Sequence, residues 1–327
     1  MIISLLFAAL LDFLIGDPWS WLHPVQVMGW IISIYSKFTL KFIKNSVLQK
    51  IAGIGLTLLL LFGSSSIVWA IISIAKFINP WISIVTESII LASCFAGKSL
   101  RDAAEDVLAP LKDNDIQQAR SRLSRYVGRD TKNLSEPEIL RAVLETVAEN
   151  GVDGVMAPLF WAIVGLVTPI GPAPFAIAYK AVSTLDSMVG YIAPPYTHLG
   201  WCSAKLDDLL TYIPCRLMVM TLGIISGHPI DLWNQCRREG SKDPSPNSGW
   251  SECAYAVTLN VQLGGLNTYR GVVKSKPILG IPRRSITPDV IRSALDLNRR
   301  CFLSWLLIAI GIIEFHWQTI LVVVRGG

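Results

Sequence analysis

Apolar residues along this chain fall into two kinds of block, long uninterrupted runs and shorter stripes that repeat at helical spacing. Ile51 to Ile78 is the clearest run and is long enough to span a bilayer with tilt, and Trp81 to Ala96 returns after Asn79-Pro80. Phe302 to Val324 predicts a last span, with Arg325 outside it. Met1 to Ile15 and Val25 to Tyr35 are shorter than the roughly 20 residues a perpendicular crossing needs, which predicts a short or re-entrant hairpin. Val155 to Tyr179 is broken by Thr168 to Pro174, where Pro and Gly end one helix and start another. A tight hairpin and a discontinuous segment lining a polar cavity are both open there. If that region is a hairpin and Leu209 to Ile225 crosses fully, the basic stretch after His228 lands outside, against its charge. One of these segments is therefore expected to be re-entrant.

The densest stripe lies in Ser135 to Phe160. Ser135 and Glu138 have capping-box spacing and Pro137 suits a first turn, so a helix is predicted from Glu136 to Asn150-Gly151. Ile139, Leu140, Val143, Leu144, Val147 and Ala148 share one face, and Arg141, Glu145 and Glu149 recur every four residues on another. A solvated, ion-paired face is one reading of that second set. However, Glu145 and Glu149 repel each other unless a cation sits between them, Asp153 adds a third carboxylate, and an apolar segment follows directly. Mg2+ with nucleotide phosphates would supply the missing charge.

Charge sharpens the membrane reading. The 327 residues are 52% hydrophobic and 16% charged, with a mean hydropathy of +0.48, too apolar and charge-poor for an ordinary soluble enzyme. The basic residues cluster in connectors: Lys37 to Lys50, Lys98 to Arg141, and His228 to Arg300. These stretches are expected on the cytoplasmic side, and no nucleic-acid-binding motif occurs. The six cysteines show neither CxxC pairs nor His at ligand spacing, which predicts buried, reduced thiols. The first fifteen residues lack a basic n-region and a small-residue cleavage site and read as a retained segment.

Candidate chemistry is scattered. Asp12, Asp17 and His23 lie in or beside apolar sequence, where ionisable groups are costly, although Trp19 and Trp21 also suit a loop at the lipid headgroups. Gly97-Lys98-Ser99 fails as a P-loop ending, because Ala92 stands where the motif needs glycine. Arg129 beside Gly128 reads as a phosphate ligand, whereas Arg120, Arg122 and Arg125 are expected to face solvent or anionic lipid. Ser183, Thr184, Asp186 and Ser187 form a compact polar cluster, and Lys205, Asp207, Asp208 and Arg216 follow. In LGGLNTYRG the glycines would allow close backbone approach to a ligand.

The order GDP, HPVQVMG, VGRDTKNLSEPEILRAVLETVAENGVDGVMAPLFW, TLDSMVGY, GWCSAKLDDLLTYIPCRL, SPNSGW and LGG closely resembles the adenosylcobinamide-phosphate synthase family of cobalamin biosynthesis over nearly the whole chain. The chain departs from that family's pattern at Ser183, Thr211 and Cys215. The resemblance implies an integral membrane enzyme of the bacterial plasma (inner) membrane with its active site toward the cytoplasm. It would join a propionate carboxylate of adenosylcobyric acid, the corrinoid substrate, to aminopropanol or its phosphate, consuming ATP.

The fold class expected is all-α: a polytopic integral membrane helical bundle with short or re-entrant segments, forming one enzyme domain over 1–327, with 98–150 and 228–300 as cytoplasmic connectors. Around Mg2+ the expected ligands are Asp17, Glu145, Glu149, Asp153, Asp207 and Asp208. Arg129, Asp130, Arg141, Asn150, Ser187 and Asn247 are expected at the nucleotide. His23 or Asp186 would be the base that deprotonates the amine, with Glu145, Glu149 and Lys205 as further catalytic candidates. Other enzymes of the pathway are an open class of partner. A transporter and a non-catalytic membrane scaffold are the alternative readings.

Overall fold

The computed structural model describes residues 1–16, 23–191 and 193–325, with side chains as far as residue 314. It is an all-α polytopic membrane protein, to which the described residues add one β-hairpin. Among the described residues three helical stretches are long and apolar enough to cross a bilayer: Ser46–Ile78, Pro80–Lys112 and Trp201–Ser226. At 1.5 Å per residue the 33 residues of Ser46–Ile78 reach about 50 Å, more than the roughly 30 Å of a hydrocarbon core. Leu59, Phe62, Ile67, Ile74 and Phe77 of this helix stand exposed, as they should where the solvent is lipid rather than water.

The chain divides into two compact units. Unit 1 comprises Met1–Ala96, Ala157–Leu210 and Leu303–Gly327, and unit 2 comprises Gly97–Met156 and Thr211–Phe302. In unit 1, α1 (Ile2–Leu14) packs on α4 (Pro80–Ala92), while α2 (Pro24–Phe42) packs on α9 (Pro172–Val189) and α3 (Ser46–Ile78). The first two apolar stretches therefore have their main partners elsewhere than in each other. Asn79 ends α3 and, with Pro80 at the first helical position, starts α4; its Oδ1 accepts from the Trp81 amide at 2.7 Å. The Pro-rich break is a hairpin, since α8 (Ala157–Leu166) packs closely on α9.

In unit 2, α5 (Gly97–Lys112), α6 (Ile116–Leu123) and α7 (Glu136–Asn150) pack on one another, α7 also packs on α12 (Ser248–Thr258), and α12 packs on α11 (Pro229–Glu239). The predicted start of α7 is present, with the Ser135 amide donating to Glu138 Oε2 at 2.7 Å. All six residues of its apolar stripe are buried. The α-helix ends at Asn150, as predicted, but the chain does not turn away there. Gly151 has φ −59° and continues into a π-helical turn, Gly151–Met156, which runs on into α8. Gly151 is required for space: a Cβ there would lie 2.5 Å from Nδ2 of Asn298, which donates to the Gly151 carbonyl.

The hairpin pairs β1 (Leu263–Tyr269) antiparallel with β2 (Val272–Leu279), and a bulge at Leu263/Gly265 shifts its register. The two stretches expected as connectors thus supply most of unit 2. The remaining helices are α10 (Trp201–Ser226) and α13 (Pro288–Arg325), and the division between units falls inside both.

Candidate active site

The face of α7 that carries Arg141, Glu145 and Glu149 is only partly solvated. Glu145 is 1% exposed, and both its carboxylate oxygens are engaged. Oε2 accepts from Arg129, and Oε1 accepts from Arg141 Nη1 and from the Gly264 amide, each at 3.0 Å. Asn267 ties the guanidiniums together, its Oδ1 accepting from Arg129 at 2.9 Å and from Arg141 at 3.1 Å. Arg141 also donates to the carbonyls of Gly264 and Leu266. Two guanidiniums against one carboxylate leave an excess positive charge in a mostly buried network, a setting in which an anion is favoured.

The hairpin makes this network possible. Gly264, at φ +83°, sits in the bulge, and a Cβ there would collide with the Pro277 carbonyl oxygen. The glycines of LGGLNTYRG, expected to let backbone approach a ligand, instead bring β1 against Arg141 and Glu145 of α7. Asp130, expected at the nucleotide, accepts from the amides of Arg270 (3.1 Å) and Gly271 (2.8 Å) and so clamps the hairpin turn. Arg129 is 9% exposed and held by Glu145 and Asn267, so its guanidinium is pre-positioned within the network.

Behind the network lies a second pair. Glu252 on α12 is fully buried; its Oε1 accepts from Lys276 Nζ of β2 at 2.8 Å, and Oε2 has no hydrogen-bond partner among the described residues. Burial pushes the Glu252 carboxyl up to about 7, the Lys276 ammonium opposing and the Glu145 and Glu149 carboxylates adding to the rise. Burial also works against the Lys276 ammonium, but Glu252 and Glu149 outweigh it and its pKa is raised. Glu252 is the single charged residue of the helix SGWSECAYAVT, whose residues from Gly249 to Ala256 are all buried, a position where an ionisable group requires a partner.

A third cluster in unit 2 centres on Arg216. Its guanidinium donates to Asn247 Oδ1 and to the Pro246 carbonyl, each at 2.7 Å, and stacks on Tyr212 and Trp250. Asn247, expected at the nucleotide, is buried and orients this arginine. Asn150 and Glu149 are exposed at the end of α7, and Asp153 is half-buried on the π-turn. Such turns inside α-helices concentrate at functional sites.

Unit 1 holds the other expected residues. His23 caps α2, its Nδ1 accepting from the Val25 amide at 3.3 Å. Asp186 is half-buried on α9, and the Ser187 hydroxyl donates to the Thr184 carbonyl of its own helix at 2.9 Å. Lys205 and Asp208 on α10 form a loose pair at 3.8 Å, with Asp207 half-buried beside them. Asp17 lies outside the described residues. Of the arginines expected to face solvent or lipid, Arg125 is exposed and Arg120 and Arg122 are half-buried, and each is also tethered: Arg122 and Arg125 pair with Asp106, and Arg120 donates to the Leu134 carbonyl at 2.7 Å.

The fit to a divalent cation is narrow. Among the described residues no group of three or more His, Cys, Asp and Glu is gathered to hold a metal ion, and the oxygens of Glu145 are taken. Exposed Glu149 suits Mg2+ held by one or two carboxylates together with a ligand's phosphates, the usual form of such sites, and does not suit an all-protein cage. All six cysteines are free thiols, five of them buried.

Fold and site together define a polytopic helical membrane protein whose polar unit is built round a buried arginine and carboxylate network. The chain belongs to the CobD/CbiB family, whose model, described as CobD/Cbib protein, matches residues 5–298. It is 50% identical over 307 residues to the cobalamin biosynthesis protein CobD of Synechocystis, covering 94% of this chain and 90% of that one. It is 38% identical over 319 residues to the cobalamin biosynthesis protein CbiB of Salmonella choleraesuis, with 96% of each chain covered. The CobD of Citrobacter koseri is 37% identical, with 94% of each chain covered. No solved structure matches.

Proposed function

We propose that this protein makes an amide bond in cobalamin biosynthesis, joining a propionate carboxylate of adenosylcobyric acid to aminopropanol or its phosphate at the expense of ATP. The product is adenosylcobinamide or its phosphate. Its family and relatives support the pathway. The observation that carries the chemistry is the Arg129, Arg141 and Glu145 network with Glu149 exposed one turn further along α7.

A carboxylate is a poor electrophile and its oxygen a poor leaving group, so condensation with an amine requires activation. Transfer of the γ-phosphoryl group of ATP to the propionate oxygen, with loss of ADP, makes an acyl phosphate. Attack of the amine nitrogen on the acyl carbon then expels inorganic phosphate and forms the amide. The excess positive charge of the arginine pair stabilises the phosphoryl oxygens, and Glu145 keeps both guanidiniums oriented. Glu149, with Asp153, would hold Mg2+, which supplies neutralisation of phosphate charge. The ammonium form of the amine must lose a proton, and Asp186 and His23 are the candidates that accept it. Asp207, Asp208 and Lys205 are kept as secondary positions. The bacterial inner membrane, with unit 2 toward the cytoplasm and its ATP, is the location this reading requires.

The test is reconstitution of the purified full-length protein with adenosylcobyric acid, Mg-ATP and each candidate amine, followed by mass analysis of the corrinoid. Formation of the amide together with ADP supports the reading. ATP consumption without a corrinoid product, or neither, overturns it. A detergent solution, which has no membrane barrier, separates the enzyme from a transporter.

A further inference from the structure

Supply of hydrogen-bond donors, as well as charge, decides which cation of unit 2 can meet a phosphoryl group. The fork of Arg141 is fully engaged: its two terminal nitrogens donate to Glu145, to Asn267 and to the carbonyls of Gly264 and Leu266. Both terminal nitrogens of Arg129 are bonded as well, to Glu145 and Asn267, and its side chain is only 7% exposed. These guanidiniums create a positive field but have little left to donate.

Lys276 is the third cation beside the network. It lies on β2 opposite Gly265, the residue between the two whose carbonyls accept from Arg141. Its ammonium makes one hydrogen bond among the described residues, to Glu252, so two of its three N–H groups meet no protein acceptor there. Its side chain is 24% exposed, more than that of Arg141 at 16%. Burial works against its charge, but Glu252 and then Glu149 outweigh burial and keep it an ammonium. It therefore stands in the field of the exposed carboxylate at the end of α7. Neutralising buried Glu252 takes one of its bonds and calls for no exposure. An ammonium anchored on its buried side by a carboxylate, with two donors remaining, is suited to bind an oxyanion.

We propose that Lys276 is a catalytic residue of the phosphoryl-transfer step, donating to the oxygens of the transferring γ-phosphoryl group, with Glu252 as the positioning residue that holds its ammonium. The assignment rests on the ATP-dependent reading above. In that step the bond from the γ-phosphorus to the ADP oxygen breaks, its electron pair leaving with ADP, and the bond to the propionate oxygen forms. Lys276 gives up no proton; it neutralises charge on the non-bridging oxygens, while Arg129 and Arg141 supply the surrounding field.

The full-length protein in detergent, with Mg2+, is titrated by calorimetry with ADP and with the β,γ-imido analogue of ATP, and amide formation is measured alongside. Lys276→Met should weaken the analogue by about tenfold, the loss of hydrogen bonds from a charged group, and leave ADP affinity unchanged. Turnover should fall about 100-fold. Because this substitution leaves Glu252 buried without its partner, a second variant removes both charges. Glu252→Gln with Lys276→Met should regain the thermal midpoint that Lys276→Met loses, yet keep the weakened analogue binding and the low turnover. Recovery of binding and turnover in the double variant would show that Lys276 serves only Glu252, and overturns the proposal. Unchanged analogue affinity in Lys276→Met, or an equal loss for ADP, overturns contact with the γ-phosphoryl group. A parent protein that binds neither nucleotide overturns the ATP reading itself, a result distinct from the others.

Discussion

Glu252 and Lys276 stand 2.8 Å apart in a position where a carboxylate alone would be expelled or protonated. With its folded pKa raised from 4.5 to about 7, Glu252 holds its proton more tightly in the folded than in the unfolded chain. The associated stability is therefore complete below about pH 4.5 and declines as pH rises through about 7. Glu252→Gln should lose this slope, so that thermal midpoints measured between pH 5 and 8 converge toward a pH-independent value. A variant that keeps the parent's pH dependence would mean that Glu252 is already ionised when folded. The two glutamates of α7 should respond in opposite ways. Glu145→Ala leaves buried guanidiniums facing each other and should cost about 3–5 kcal/mol in detergent unfolding. Exposed Glu149→Gln should change stability by no more than about 0.5 kcal/mol while abolishing amide formation; retained turnover would remove Glu149 from the site.

The element on which the network depends is the β-hairpin. Its bulge puts the Gly264 amide and carbonyl on Glu145 and Arg141, and its turn is clamped by Asp130. Gly264→Ala should strain the backbone by about 1–3 kcal/mol from the positive φ alone, and the collision with Pro277 adds to it. Faster amide hydrogen exchange across Leu263–Tyr269, with α3 unaffected, is the expected readout. Periodicity made α7 legible, because its stripe and cap are local. The hairpin was not legible, since LGGLNTY reads as loop until its partner strand lies beside it. For the same reason the six apolar positions of α7 were foreseen as core, while Arg129 was read as a phosphate ligand without sight of the carboxylate and amide it contacts.

For the whole molecule, the exposed aliphatic and aromatic residues of α3 require lipid around them, so the protein should stay in the membrane pellet after alkaline extraction. If unit 2 faces the cytoplasm, a cysteine placed at exposed Lys132 should react with an impermeant maleimide in inverted vesicles and be protected in intact cells. The reverse pattern would place the arginine network away from ATP. The α8 and α9 hairpin was one of two readings of the Pro-rich break, because Pro and Gly end helices without saying where the next one goes.

Membrane class, the long apolar run of α3, the α7 boundary at Ser135 and the family were all carried by local order in the chain: run length, 3.6-residue spacing and motif sequence suffice for each. Which charges neutralise which could not be read there. Arg129 and Asn267 are 138 residues apart, and Glu252 and Lys276 are 24 apart on a helix and a strand. Pairing of buried charges is governed by distance in space and by the water excluded around them, and both quantities exist only once the chain has folded.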